Sequence, residues 1–182
     1  MNIPNILSLF RILLIPVAAY FFAVDNFTAA LIVFVLACAT DVLDGYIARK
    51  FNLITDIGTV LDPLADKGMQ VTALISMSLH GIMPWIVAIF FLVKELTMFL
   101  GGVFLYKKSV IISANWYGKL STVITSLCVC IILLFKDVLS IGVLTLFQWL
   151  PVVCALMAFA RYTMLYIKEK NGEGKNLHNT NK

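Results

Sequence analysis

Apolar residues in this chain run in long stretches broken by short polar punctuation, and strict alternation is absent. That pattern predicts helices apolar around most of their circumference, as in membrane spans. Six such segments can be read. The first runs from Ile6 to Ala23, preceded by Asn2-Ile3-Pro4-Asn5 as an entry segment lying in the membrane interface. The second runs from Thr28, read as its N-cap, to Arg49, and the third from Gly58 to just before His80-Gly81. Pro84 opens the fourth, which ends at Tyr106-Lys107-Lys108; the fifth spans Tyr117 to Phe135 and the sixth Val138 to Tyr166. A bilayer core needs roughly 20 helical residues, which each segment meets or nearly meets. The expected fold is therefore all-α, a polytopic integral membrane protein with six transmembrane helices. With no repeat and no linker, residues 1–182 read as one domain, of which about 168–182 form a polar tail.

Composition sharpens this picture. Hydrophobic residues make up 61% of the 182 and charged ones 13%, with a mean hydropathy of +0.95. A soluble domain is closer to half apolar and a quarter charged, so a soluble enzyme, a disordered tail and a nucleic-acid-binding module are all excluded. The net charge of +4 matters less than its placement. Of 14 Lys and Arg, only Lys136 falls in an outer loop and Lys94 inside an apolar run. The other 12 fall on one side of a six-span topology, which predicts that both termini are cytoplasmic. Met1 to Asn5 has no basic residue and Arg11 interrupts the first apolar run, so a cleavable signal peptide is not expected. Cys38, Cys128, Cys130 and Cys154 all lie in apolar segments and read as small buried hydrophobes. Trp85, Trp116 and Trp149 fall near segment ends, as interfacial anchors do.

Against this background four carboxylates stand out. Asp41, Asp44, Asp62 and Asp66 lie inside apolar helices, where a charge costs at least a few kcal/mol and marks a functional site with a partner. Asp41, Asp44, Gly45 and Ala48 are spaced i, i+3, i+4, i+7 and share one helix face. Gly58, Asp62 and Asp66 do the same on the next, antiparallel helix. Asp41 lies eight residues from Arg49 and Asp66 eight from Gly58, placing both about 12 Å from the cytoplasmic end. Four carboxylates at one depth repel one another. A divalent cation relieves this, and an all-oxygen ligand set suits Mg²⁺, Mn²⁺ or Ca²⁺ better than Zn²⁺. Two metals about 4 Å apart are a common clamp for phosphoryl displacement, with Arg49 available to hold phosphate. Gly45 and Ala48 either permit close helix packing or leave room for a flat ligand.

The motif Asp44-Gly45-x2-Ala48-Arg49-x8-Gly58-x3-Asp62-x3-Asp66, preceded by Asp41, resembles the signature of the CDP-alcohol phosphatidyltransferases at every position. That resemblance implies that Asp41, Asp44 and Asp62 ligate metal, that Asp66 completes the second site, and that Asp66 is also the general base. It implies two divalent ions, Mg²⁺ or Mn²⁺. The CDP-linked substrate would be held by Asp44 and Arg49 with space made by Gly45, Ala48 and Gly58. CDP-diacylglycerol, a polar-alcohol acceptor, surrounding membrane lipids and a second copy in a homodimer are the implied partners, in the cell membrane with the site facing the cytoplasm.

The acceptor is less sharply written. Asn2 to Arg11 and Leu61 to Lys67 are similar to the phosphatidylglycerophosphate synthases, which use glycerol 3-phosphate, and equally to CDP-alcohol-type cardiolipin synthases, which use phosphatidylglycerol. Two cations usual in the first group are replaced here, by Gly101-Gly102 and by Ser121. Lys94, Lys119 and Arg161 remain as candidates to bind an acceptor phosphate, Lys serving as a point charge. Lys94 and Glu95 are neighbours in sequence, and adjacent residues do not face each other on a helix. A divalent-cation transporter could also place Asp in helices, but leaves Arg49 and the Gly/Ala spacing unexplained.

Overall fold

The computed structural model describes residues 3–51, 56–107 and 116–170. These form six helices and, among the described residues, no strand: α1 (Ile3–Ala23), α2 (Phe27–Lys50), α3 (Asp56–Leu79), α4 (Trp85–Lys107), α5 (Trp116–Phe135) and α6 (Ile141–Lys170). The helix count and approximate bounds agree with the apolar pattern. Three stretches among the described residues are long and apolar enough to cross a bilayer: Asn5–Ala23, Phe27–Ala48 and Ile141–Arg161. Leu120–Phe135 is a shorter apolar stretch, and α3 is interrupted by Asp62, Asp66, Lys67 and Gln70. Over the described residues the chain is an all-helical membrane protein, and three of the helices described there qualify as spans on length and apolarity alone.

Two details depart from the sequence reading. The entry segment is not separate, because helix α1 already includes Ile3, and Asn5 is buried. Pro4 does not prevent this, since a proline in the first helical turn removes no intrahelical hydrogen bond. The cap of α2 is Asn26 rather than Thr28: its side chain accepts from the Ala29 N–H at 3.1 Å.

α1 packs against both α2 and α3, α3 against α4, and α2 and α6 against α5. The shared core is built of Phe22, Phe34, Leu74, Phe91, Val129 and Ile132. Large apolar residues also face outward, among them Leu13, Ile32, Leu36, Ile89, Leu127 and Leu146. A soluble monomer rarely exposes so much contiguous apolar surface, whereas lipid covers it without cost.

The α1–α2 and α3–α4 turns are built alike. After α1, the Asp25 N–H donates to Phe22 O and the Asn26 N–H to Phe21 O; after α3, the Gly81 N–H donates to Ser78 O and the Ile82 N–H to Met77 O. Both are Schellman ends, which require a left-handed residue, and Asp25 (φ 57°) and Gly81 (φ 69°) supply it. The turns meet where His80 Nε2 lies 3.3 Å from Asp25 Oδ1. A Cβ at Gly81 would touch nothing within 4 Å, so only backbone strain opposes it. Gly81→Ala is therefore expected to destabilise by about 1 kcal/mol, read as a small drop in melting temperature in detergent. An unchanged melting temperature would show that the turn relaxes.

Candidate active site

The polar cluster is assembled by α1, α2 and α3. Helix periodicity puts Asp41 and Asp44 on one face of α2, and Asp62 and Asp66 on one face of α3, as the spacing implies. What the spacing does not reveal is the occupant between them. Arg11 of α1 is 1% exposed; its Nη1 donates to Asp41 Oδ1 and its Nη2 to Asp44 Oδ2. Nη2 also lies 3.5 Å from Asp62 Oδ1, which accepts from Ser8 Oγ. Asn5, Ser8 and Arg11, spaced i, i+3, i+6, are all buried and form a polar stripe on an otherwise apolar helix. Arg11 is thus no cytoplasmic end charge but an internal counter-ion. Asp44 forms the floor of the site with a 4% exposed side chain, while Asp41, Asp62 and Asp66 are partly open.

Asp66 joins the same place from the other side. A small cavity is lined by Arg11, Asp41, Asp66, Gln70 and Ser126 among others, so Asp41 and Asp66 face a common space. Asp66 Oδ2 pairs with Lys67 Nζ at 3.3 Å, and Lys67 reaches Glu95 Oε2 at 3.8 Å and donates to Thr122 Oγ1 at 3.2 Å. Lys94 donates to Glu95 Oε1 at 2.6 Å. The flexible lysine stem curls round to its neighbour, so the expectation that these adjacent residues point apart is overturned. The result is a string of alternating charge, Lys94, Glu95, Lys67, Asp66, that ties α4 to α3, with Thr122 of α5 joined to it through Lys67.

Of the other sequence-selected residues, Gly45 and Ala48 are half-buried on α2 and Gly58 is buried on α3. Arg161 is exposed on α6. The side chains of Arg49 and Lys119 lie outside the described ones. Ser121 is buried, and its Oγ has no hydrogen-bond partner among the described residues. Beside the charge string, an apolar cleft of about 470 Å³ opens between α3 and α4, with Leu64, Val71, Leu92 and Leu96 on its walls and Lys67 and Glu95 at its polar end.

The residues suit a divalent metal by charge and donor chemistry. Asp41, Asp44, Asp62, Asp66 and Glu95 bring five negative charges, and Arg11, Lys67 and Lys94 three positive ones, leaving two negative charges uncompensated. All donors are carboxylate oxygens, the preference of hard cations. As they stand, no three His, Cys, Asp or Glu among the described residues are drawn together as a metal cage, Arg11 lying between Asp41 and Asp44.

Carboxylates gathered in this way within apolar helices define an integral-membrane enzyme rather than a passive bundle. The chain belongs to the CDP-alcohol phosphatidyltransferases, whose family model matches residues 1–164. Such enzymes use a CDP-linked alcohol and a second alcohol as substrates and generally depend on a divalent metal. The chain is 35% identical over 150 residues to the CDP-diacylglycerol–glycerol-3-phosphate 3-phosphatidyltransferase of Aquifex aeolicus, covering 81% of this chain and 79% of that protein. It is 36% identical over 134 residues to a probable phosphatidylglycerophosphate synthase of Mycobacterium tuberculosis, covering 70% and 64%. A cardiolipin synthase (CMP-forming)/mitochondrial hydrolase fusion protein of Schizosaccharomyces pombe is 45% identical over 83 residues, 46% of this chain and 14% of that protein.

Proposed function

We propose that the protein is a phosphatidylglycerophosphate synthase, moving the phosphatidyl group of CDP-diacylglycerol to glycerol 3-phosphate and releasing CMP. The observation that carries this reading is the pairing of the motif carboxylates of α2 and α3 around one cavity, joined to the likeness to the Aquifex enzyme. Asp41, Asp44, Asp62 and Asp66 hold two divalent ions, Mg²⁺ or Mn²⁺, and Asp44, Gly45, Ala48, Arg49 and Gly58 form the CDP subsite. The metals, when bound, neutralise the pyrophosphate and the charge that develops on the leaving group. Asp66 accepts the proton of the acceptor hydroxyl as its oxygen attacks the β-phosphorus. A new P–O bond forms, the bridging P–O bond breaks, and CMP departs with the electron pair. Lys67 sits beside Asp66 and steadies its carboxylate, so the proton acceptor is held without being buried. Lys94, Lys119 and Arg161 are the candidates for acceptor binding, Lys94 through the charge string. The single domain 1–182 crosses the membrane six times as a homodimer, with both termini and the active site on the cytoplasmic side.

A cardiolipin synthase reading is favoured by one observation: Ser121, where glycerol-3-phosphate users carry a cation, is buried and uncharged. The test is CMP release from CDP-diacylglycerol by purified protein with Mg²⁺ or Mn²⁺, offering glycerol 3-phosphate and phosphatidylglycerol in parallel. Release with glycerol 3-phosphate alone is expected. Release with phosphatidylglycerol alone would replace the proposal by the second reading, and no release with either would overturn both.

A further inference from the structure

Arg11 meets the carboxylates as a metal does, and it comes from a helix outside the α2–α3 motif. It is 1% exposed in an apolar helix, yet both terminal nitrogens are turned onto Asp41 and Asp44, with Asp62 3.5 Å away. Its Nε is buried with no hydrogen-bond partner among the described residues, so the side chain is fixed by the carboxylates and not by a full set of bonds. Ser8, one turn earlier, holds the remaining acid of the trio. A guanidinium fork suits two carboxylates at once, which an ammonium does not match.

We propose that Arg11 is a positioning residue that stands in for metal charge in the metal-free enzyme. Its guanidinium keeps Asp41, Asp44 and Asp62 together inside the membrane and competes with the divalent ion for their oxygens. Metal loading is then an exchange in which the carboxylates pass from Arg11 to the ion. This rests on the metal-site reading above. Its consequence is opposite in sign to that of an ordinary supporting residue: removing Arg11 lowers stability without metal and raises affinity for metal.

The experiment measures Mn²⁺ binding to detergent-purified protein by loss of the free-ion electron paramagnetic resonance signal, alongside melting temperature in EDTA. Arg11→Gln is expected to melt several degrees below wild type in EDTA. It should bind Mn²⁺ about tenfold tighter, the effect of deleting a unit charge about 5 Å from a divalent ion even at high dielectric. Arg11→Lys retains the charge but engages fewer oxygens, so its affinity should fall between the two, about threefold tighter than wild type. If Arg11→Gln does not fold, the comparison of Arg11→Lys with wild type decides alone. Equal or weaker Mn²⁺ binding by the variants overturns the proposal, as that is what a purely structural arginine predicts. Absence of Mn²⁺ binding by wild type overturns the metal-site reading itself and the exchange with it, a result distinct from failure of the arginine alone.

Discussion

Asp66→Asn is expected to reduce CMP release by about 10³-fold while the protein still binds CDP-diacylglycerol and melts near the wild-type temperature. The amide keeps the shape of the carboxylate but cannot take a proton, and as a neutral oxygen donor it also weakens the second metal site. The fold has no strong reason to respond: Asp66 is partly open, and its partner Lys67 keeps Glu95 at 3.8 Å and Thr122 at 3.2 Å. CMP release and a thermal melt on the same preparation separate the two effects. Turnover near the wild-type rate would remove Asp66 from the proton-transfer step.

Asp44→Ala is expected to be inactive and, unlike Asp66→Asn, clearly less stable. Its carboxylate is 4% exposed against a 1% exposed arginine, and removing one member of a buried pair leaves the other charge under-compensated. Loss of a whole partner in such a setting costs about 3–5 kcal/mol; Arg11 retains Asp41 and Asp62, so about 2 kcal/mol is expected. Asp62→Asn is the comparison. Its side chain is 41% exposed and lies 3.5 Å from Arg11, so it should lose activity with a stability change below about 1 kcal/mol. Equal melting temperatures for the two variants would show that burial of Asp44 does not govern its role in the fold.

The apolar runs announced the helices, because a bilayer imposes length and apolarity on each span and leaves little else to choose. The face-sharing of Asp41 with Asp44, and of Asp62 with Asp66, was equally legible, since both lie within single helices where spacing fixes direction. Contacts between helices were not. Arg11 read as an interruption, although the rule that singled out the aspartates, a charge inside an apolar helix, applies to it equally. The i, i+3, i+6 stripe of Asn5, Ser8 and Arg11 was the available signal. Lys67 was hidden for another reason: its partners Glu95 and Thr122 lie on α4 and α5, and one sequence says nothing of how those helices meet. Asn26 prevailed over Thr28 as a cap because the Schellman end of α1 brings the chain into place one residue before Phe27.

The buried arginine also bears on how the chain enters the bilayer. An arginine at the centre of a lone inserting helix costs about 2.5–3.5 kcal/mol, and α1 must meet that cost if it partitions by itself. The acids that offset it emerge later, on α2 at positions 41 and 44. The three residues between Ala23 and Phe27 make a tight hairpin of the two helices, so their opposite charges can be neutralised against each other as the pair leaves the translocon. Insertion of α1 and α2 as one unit is therefore energetically favoured over stepwise insertion. The contact that organises the site thereby also couples the biogenesis of the first two helices.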